Sequence, residues 1–376
     1  MTASARGPVR ADEVERRLRG RAHTVLAYTE ATADPWPLVG LHDRIGAALG
    51  PADPLALLVE YHVEELRSRT RSVAESARVW ADLHARAEAA LDWHDTTLMG
   101  IKALYARYAR LSGGPADLDA AAQAYEVEWL RRLAILGPRA DRTLTAHANL
   151  AIALRDRGGP GDLRRACQIA REEVAVRRDV YGADNAFTWI AQLVLAQTLL
   201  RVAERPDQPG EKAAQQRPPE ADGYPPVRLD DVERPRPELV AEGRALAAQV
   251  LSSRRERFGA TSDATLRTQL VFAQALLLAG EPVRAAEEIR YVLATNRRVS
   301  ANLDPGWPEL LLARALLATV LREDGDDGGD SLDEALRQAR AAVEARRNRY
   351  PADAQRVTEA ELFELEARRF AGQEPE

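Results

Sequence analysis

Five alanines recur in near-identical surroundings: Ala106, Ala151, Ala196, Ala273 and Ala318, separated by 45, 45, 77 and 45 residues. The local sequences read Tyr105-Ala106, Leu150-Ala151-Ile152-Ala153-Leu154, Leu195-Ala196-Gln197-Thr198-Leu199, Phe272-Ala273-Gln274-Ala275-Leu276 and Leu317-Ala318-Thr319-Val320-Leu321. The long interval is 45 plus 32, and the surplus matches a proline-rich stretch near 205–236. A fixed period of this size belongs to a stacked repeat array. It overrides the two or three globular domains that a length of 376 residues would suggest, because a solenoid grows in one dimension without splitting. It also redirects the question of function, since such arrays work by presenting a surface.

The clearest unit runs from Thr143 to Asn185. Its helix A, Thr143–Arg157, carries Leu144, Leu150, Ala151 and Leu154 at three- and four-residue steps. Gly158-Gly159-Pro160-Gly161-Asp162 then breaks the helix, because glycine admits left-handed angles and proline cannot continue the ladder. Helix B follows from about Leu163 to Val180 with Ala166, Ile169, Ala170, Val174 and Val176 on its packing face, and Tyr181-Gly182 leads out of it. The preceding unit repeats this plan, with Gly113-Gly114 seven residues after Ala106 as Gly158-Gly159 lies seven after Ala151. In the fourth unit Ala285 and Ile289 follow Ala273 across Gly280. In the fifth, Asp324–Asp330 replaces the short turn and Ser331 is placed to cap helix B.

These repeats resemble tetratricopeptide (TPR) repeats, in particular the longer kinesin-light-chain type. The likeness rests on the threonine-leucine openings Thr97-Leu98, Thr143-Leu144 and Thr265-Leu266, and on leucine-alanine in helix A. It rests also on the arginines before an aromatic-glycine pair, Arg177-Arg178-Asp179-Val180-Tyr181-Gly182 and Arg254-Arg255-Glu256-Arg257-Phe258-Gly259. The chain departs from that type in its Gly-Gly-Pro turns and in lacking histidine-proline after most tyrosine-glycine pairs. The resemblance covers 95–350 and implies an all-α fold, a right-handed α-α superhelix of about seven helical hairpins. Residues 11–94 then form degenerate TPR-like hairpins, with helices expected over 11–31, 36–49, 53–69 and 72–91. Residues 1–10 are expected to be disordered, as is the 205–236 insertion, whose proline density leaves too little apolar surface to order it. Residues 351–376 supply a polar capping helix and tail, the charged helix running from Ala352 to Phe370.

Helix A lines the concave side of TPR arrays, so the resemblance directs attention to residues flanking each alanine. Arg107, Gln197 and Gln274 stand one residue after it, Arg110, Arg155 and Arg322 four after, and Asn149 two before Ala151, where it matches the family's groove asparagine. Arginine and carboxamide groups suit backbone carbonyls and carboxylates of an extended, acidic segment. The alternative is that they solvate an exposed helix face, with Asp156 and Glu323 as neutralising neighbours.

Chemistry of other kinds finds little footing. Asp324–Asp330 has the opening of a calcium loop, but position twelve is Ala335 where a bidentate glutamate is needed. The glycine-rich turns lack the lysine of a phosphate loop, and the six histidines show no metal-ligand spacing. Cys167 and the tryptophans Trp80, Trp129, Trp189 and Trp307 read as core. Net charge is −6, and 50 of the 52 basic residues are arginine, a skew ascribed to codon usage rather than to phosphate binding. No uninterrupted apolar stretch approaches the ~20 residues of a membrane span. The expectation is a cytoplasmic, non-catalytic scaffold or adaptor without cofactor or metal, resembling parts of bacterial regulatory proteins. It would bind a protein or peptide partner in its groove, and neither nucleic acid nor membrane. The alternatives are a sensor of a short signalling peptide or small ligand acting in trans, and an enzyme with an unrecognised site.

Overall fold

A computed structural model of the chain describes residues 11–32, 36–159, 161–204, 234–295, 306–322, 329–350 and 352–373. Among them are fifteen α-helices and no strand. Each packs chiefly on its neighbours in sequence, as in a TPR-like helical solenoid. The expectations for 1–10, for the body of the insertion (205–233) and for most of the acidic loop (323–328) fall outside the described residues. Residues 234–236 are described and lead directly into a helix.

The chain divides at Ser112/Gly113 into two compact units. The first holds α1 (Ala11–Thr32), α2 (Trp36–Leu49), α3 (Pro54–Arg67), α4 (Val73–Ala90) and α5 (Thr96–Ser112). Leu38, Leu41, Ile45, Val59 and Val63 form one core there, and Leu57, Trp80, Leu83 and Ile101 another. The Trp80 indole is fully buried and donates to Ser68 Oγ at 2.9 Å, which satisfies its one polar atom. Asp53 caps α3 by accepting from the Leu55 and Ala56 amides, and Ser72 with Glu75 forms a capping box on α4.

The second unit holds α6 (Pro115–Leu136), α7 (Asp141–Arg157), α8 (Asp162–Tyr181), α9 (Ala186–Glu204), α10 (Arg236–Phe258), α11 (Asp263–Leu278), α12 (Pro282–Thr295), α13 (Trp307–Val320), α14 (Gly329–Arg347) and α15 (Gln355–Phe370). Helices α7, α9, α11 and α13 are the A helices, and α8, α10, α12 and α14 their B partners. Ala151, Ala196 and Ala273 are fully buried, as are Ala285 and Ile289. The need for a small residue is plainest at Ala196. A Cβ on Gly243 of α10 would already meet its carbonyl oxygen at 3.3 Å and Leu200 at 3.1 Å. By composition α9 is long and apolar enough to cross a bilayer, but it lies between α8, α10 and α11 with most of its surface buried.

One device recurs at four of the joints from a helix B to the following helix A. Arg132, Arg177 and Arg254 each stand five residues before a glycine, and Arg346 five before Pro351. In every case Nη1 donates to the carbonyl ten residues on: Arg142 (2.9 Å), Phe187 (3.2 Å), Ala264 (3.0 Å) and Arg356 (2.6 Å). The intervening Gly137, Gly182 and Gly259 adopt φ near +80° with extended ψ, a region essentially reserved for glycine. The opening threonine closes the joint from the other side. Thr188 Oγ1 donates to Gly182 O at 2.7 Å and Thr265 Oγ1 to Gly259 O at 2.8 Å. The arginine five residues before the glycine and the opening threonine are thus two halves of one structural pin.

One sequence expectation needs correction, and two features go beyond what the sequence suggested. Ala318 is only half-buried, whereas Ala313, Ala315 and Leu317 are packed; α13 follows a longer connection and starts at Trp307 with Gly306 as its N-cap, which places its buried face on other positions. Ser331 does not cap α14, because the helix already starts at Gly329. The terminal helix is more than a polar cap, since Val357, Ala360, Phe363 and Ala367 recur at three- and four-residue steps and are buried.

A candidate cleft on the helix A face

Within the second unit, α9, α11 and α13 neighbour one another, and their C-terminal halves line a cleft of about 570 Å³ walled on one side by α15. Its apolar surface comes from Leu277, Leu278, Leu317, Leu321, Leu362 and Phe363. Leu321 and Leu362 are 58% and 62% exposed, unusual values for leucines flanking the same hollow.

A charge network surrounds these leucines. Glu204 at the end of α9 accepts from Gln274 Nε2 at 2.7 Å and from Arg201 Nη1 at 3.3 Å. Glu359 of α15 accepts from Arg314 Nη2 at 3.1 Å and Arg346 Nη1 at 3.5 Å, with Arg201 Nη1 3.9 Å away. Burial by itself would raise the Glu359 carboxyl, but Arg314, Arg346 and Arg201 outweigh it and hold the group below the usual carboxylate range. The Arg314 guanidinium also lies over the Phe363 ring at 5.6 Å. Arg236 and Glu366 stand exposed on the rim. The lining therefore counts three arginines (201, 236, 314) against three glutamates (204, 359, 366) and has no net charge.

The seven residues singled out from sequence are distributed as follows. Arg107 and Arg110 lie on α5 in the first unit, Arg107 with its guanidinium 5.9 Å from the Tyr108 ring. Asn149 and Arg155 lie on α7, Gln197 on α9, Gln274 on α11, and Arg322 just beyond α13. Two of them bond each other, since Arg155 Nη1 donates to Gln197 Oε1 at 3.0 Å. Asp156 takes the rest of the Arg155 guanidinium at 2.9 and 3.1 Å. Arg322 donates to the Gly280 carbonyl. Of the seven, only Gln274 lines the cleft. Arg201, Glu204 and Leu278 fall five or eight residues after the repeat alanine, one turn further than the positions considered. An extension of the same periodic count would have found them. Glu359 has no such signal.

Among the described residues no group of three or more metal-ligating side chains is gathered. No family model matches the chain, and no curated protein does. Similar solved structures include a kinesin light chain protein with nearly identical TPR-like repeats from Podosopora anserina, 16% identical. That match covers 63% of this chain and 92% of that one, with a TM-score of 0.41. Another is BtubC (BKLC) from P. vanneervenii, 12% identical over 79% of this chain and 93% of that one, with a TM-score of 0.40. The fold stands on the protein's own contacts.

Proposed function

We propose that the protein is a non-catalytic TPR-like scaffold that takes a segment of a protein partner into the cleft between α9, α11, α13 and α15. The observation that carries this is the pair of exposed leucines, Leu321 and Leu362, set in a hollow whose inner charges, Arg201, Glu204, Arg314 and Glu359, are already paired. An apolar anchor placed there gains about 25 cal/mol for each Å² it removes from water, while the surrounding ion pairs keep their partners. The segment is best described as apolar side chains flanked by charge of either sign, an acidic one meeting Arg236. That modifies the extended acidic segment expected from sequence, because Arg155 and Gln274 are held by Asp156 and Glu204. The further proposal of a cytoplasmic adaptor in a regulatory system, acting on an effector in trans, rests on the resemblance of its repeats alone. A small-ligand sensor is the second reading, favoured by a volume that falls within the ~300–1,000 Å³ of small-molecule pockets.

The test is capture of partners from a native lysate by the parent and by Leu321→Asp/Leu362→Asp. Affinity for any captured protein should fall about tenfold or more in the variant, with the circular dichroism unchanged. Equal capture by both, with loss on Phe187→Asp at the joint edge of α9, would move the binding site away from the cleft. A partner lost only in the presence of a dialysable small molecule would favour the sensor.

A further inference from the structure

The first turn of α15 touches the opposite end of its own unit. The Gln355 amide donates to the Gly113 carbonyl at 3.2 Å, two residues before α6 begins. Arg356 Nη2 donates to Asp156 Oδ2 at 3.2 Å in the last turn of α7, a residue 200 positions away. Glu359 lies 3.9 Å from Arg201 at the end of α9. Helix α15 is the fifth in the helix A series that starts at α7. Four hairpins therefore curl far enough for the last of the series to meet the first.

The contacts that make this meeting are polar. The apolar residues of α15 are spent on its sequence neighbours: Phe363 and Ala367 pack with Leu310, Ala313 and Leu317 of α13 and Leu336 and Ala339 of α14. What reaches Gly113, Asp156 and Arg201 is polar. Each charged member also has a local partner that would stay with it after separation. Asp156 Oδ1 accepts from Arg155. Arg356 donates to the Tyr350 hydroxyl at 3.2 Å and lies 5.4 Å from that ring. Glu359 keeps Arg314 and Arg346. Parting these ends leaves Asp156 with Arg155, Glu359 with Arg314 and Arg346, and Arg356 on the Tyr350 ring, so no buried carboxylate is stranded without a cation, which is the costly event in a protein interior.

We propose that Gln355–Gly113, Arg356–Asp156 and Glu359–Arg201 form an electrostatic clasp. It holds residues 113–370 in a closed curvature and releases them to an open one without unfolding a hairpin. Solenoids suit such a device, because each hairpin contacts only its neighbours and small changes at successive interfaces add along the array. Glu359 belongs both to the clasp and to the cleft wall. On the proposed function, closure therefore fixes the spacing of the helix A ends that a partner meets, and partner and clasp bias each other. The closed–open equilibrium itself does not depend on that function.

The experiment places spin labels at Ala116→Cys and Ala352→Cys, both exposed, in a Cys167→Ala background, and measures their separation by electron–electron resonance. At low salt a short, narrow distance distribution is expected. Asp156→Asn/Arg356→Gln should shift it to a longer and broader one, the open-to-closed ratio rising about 2- to 5-fold for each ion pair lost. So should about 1 M salt on the unsubstituted clasp, where the screening length falls to about 3 Å. Helical content should stay constant throughout. An unchanged distribution in the variant and in salt would overturn the proposal. So would lengthening that is accompanied by loss of helix, since the contact would then be part of the fold and not a device within it. If the double variant does not fold, the salt series on the parent decides alone by the same two criteria.

Discussion

The joint-pinning arginines occupy one repeat position, yet the structure predicts very different costs for removing them. Arg177 is buried and donates Nε to Glu173 Oε2 at 2.8 Å and Nη1 to the Phe187 carbonyl at 3.2 Å. Glu173 is also buried, with His147 Nδ1 3.0 Å from its other oxygen. Arg177→Met keeps the bulk of the stem but leaves Glu173 without its cation, so the loss should be about 3–5 kcal/mol. Arg254 is similarly buried, but it donates to the Ala264 carbonyl and to Thr268 Oγ1 at 2.7 Å, not to a carboxylate. Burial, aided by nearby Arg267, pushes its guanidinium pKa down, so the charge is itself a burden to the folded state. Thr268 Oγ1 retains its 2.8 Å bond to the Ala264 carbonyl after the change. Two hydrogen bonds lost against one desolvated charge relieved leave a net cost of about 1 kcal/mol for Arg254→Met. Urea unfolding followed by circular dichroism measures both. Glu173→Gln in the Arg177→Met background should recover part of the loss, because the stranded charge is gone. Equal costs for the two methionine variants, or no recovery in the double variant, would refute the account.

Ala151→Trp should destabilise by about 1–3 kcal/mol or more, since α7 is enclosed on that face; an unchanged melting temperature would mean the repeat phase is misplaced. Gly243→Val should cost a similar ~1–3 kcal/mol through its clash with Leu200 and the Ala196 carbonyl, read from the same melts. Because Glu359 titrates below its ordinary value in the folded protein, the docked state binds that proton less tightly than the unfolded chain. Its contribution is complete above about pH 4.3, and is lost as pH falls through the lower folded value. The urea midpoint should therefore decline more steeply with acid in the parent than in Glu359→Gln, and identical slopes would contradict the pairing. Arg155→Ala removes bonds to Asp156 and Gln197, so a stability loss of roughly 1 kcal/mol should accompany any effect on binding.

The fold was legible because its signals are local. The Ala151 unit announces its own helices, expected over Thr143–Arg157 and about Leu163–Val180 and found as Asp141–Arg157 and Asp162–Tyr181. Even the weakly patterned 36–49 segment forms a helix with those bounds. Ala318 shows the limit of the method. Its 45-residue spacing is kept, but rotation of α13 after a longer connection is a tertiary matter that periodicity does not record. The cleft was half legible. Counting from the alanine finds Gln274, and counting one turn further finds Arg201 and Glu204. The return of α15 across 200 residues leaves no trace in any local window, so neither the Glu359 cluster nor the Arg356–Asp156 pair was foreseen.

The pinned joints make the two edges of the array unequal. On the edge where a helix B hands over to the next helix A, the spacing from glycine to helix is held at four residues three times, by Gly137, Gly182 and Gly259 with their arginines. The α12–α13 connection, where Val299 and Asp304 stand 45 residues after Arg254 and Gly259, is longer, and there the phase slips. On the opposite edge, between helices A and B of one hairpin of the second unit, the connections run from the three residues between α11 and α12 to the thirty-one between α9 and α10. The array is therefore built like a bound book, with a stitched spine whose pitch is fixed and a fore-edge along which single leaves can be lengthened. New sequence acquired on the fore-edge leaves the stacking of every other hairpin undisturbed, whereas the same residues set into the spine would turn all the hairpins that follow.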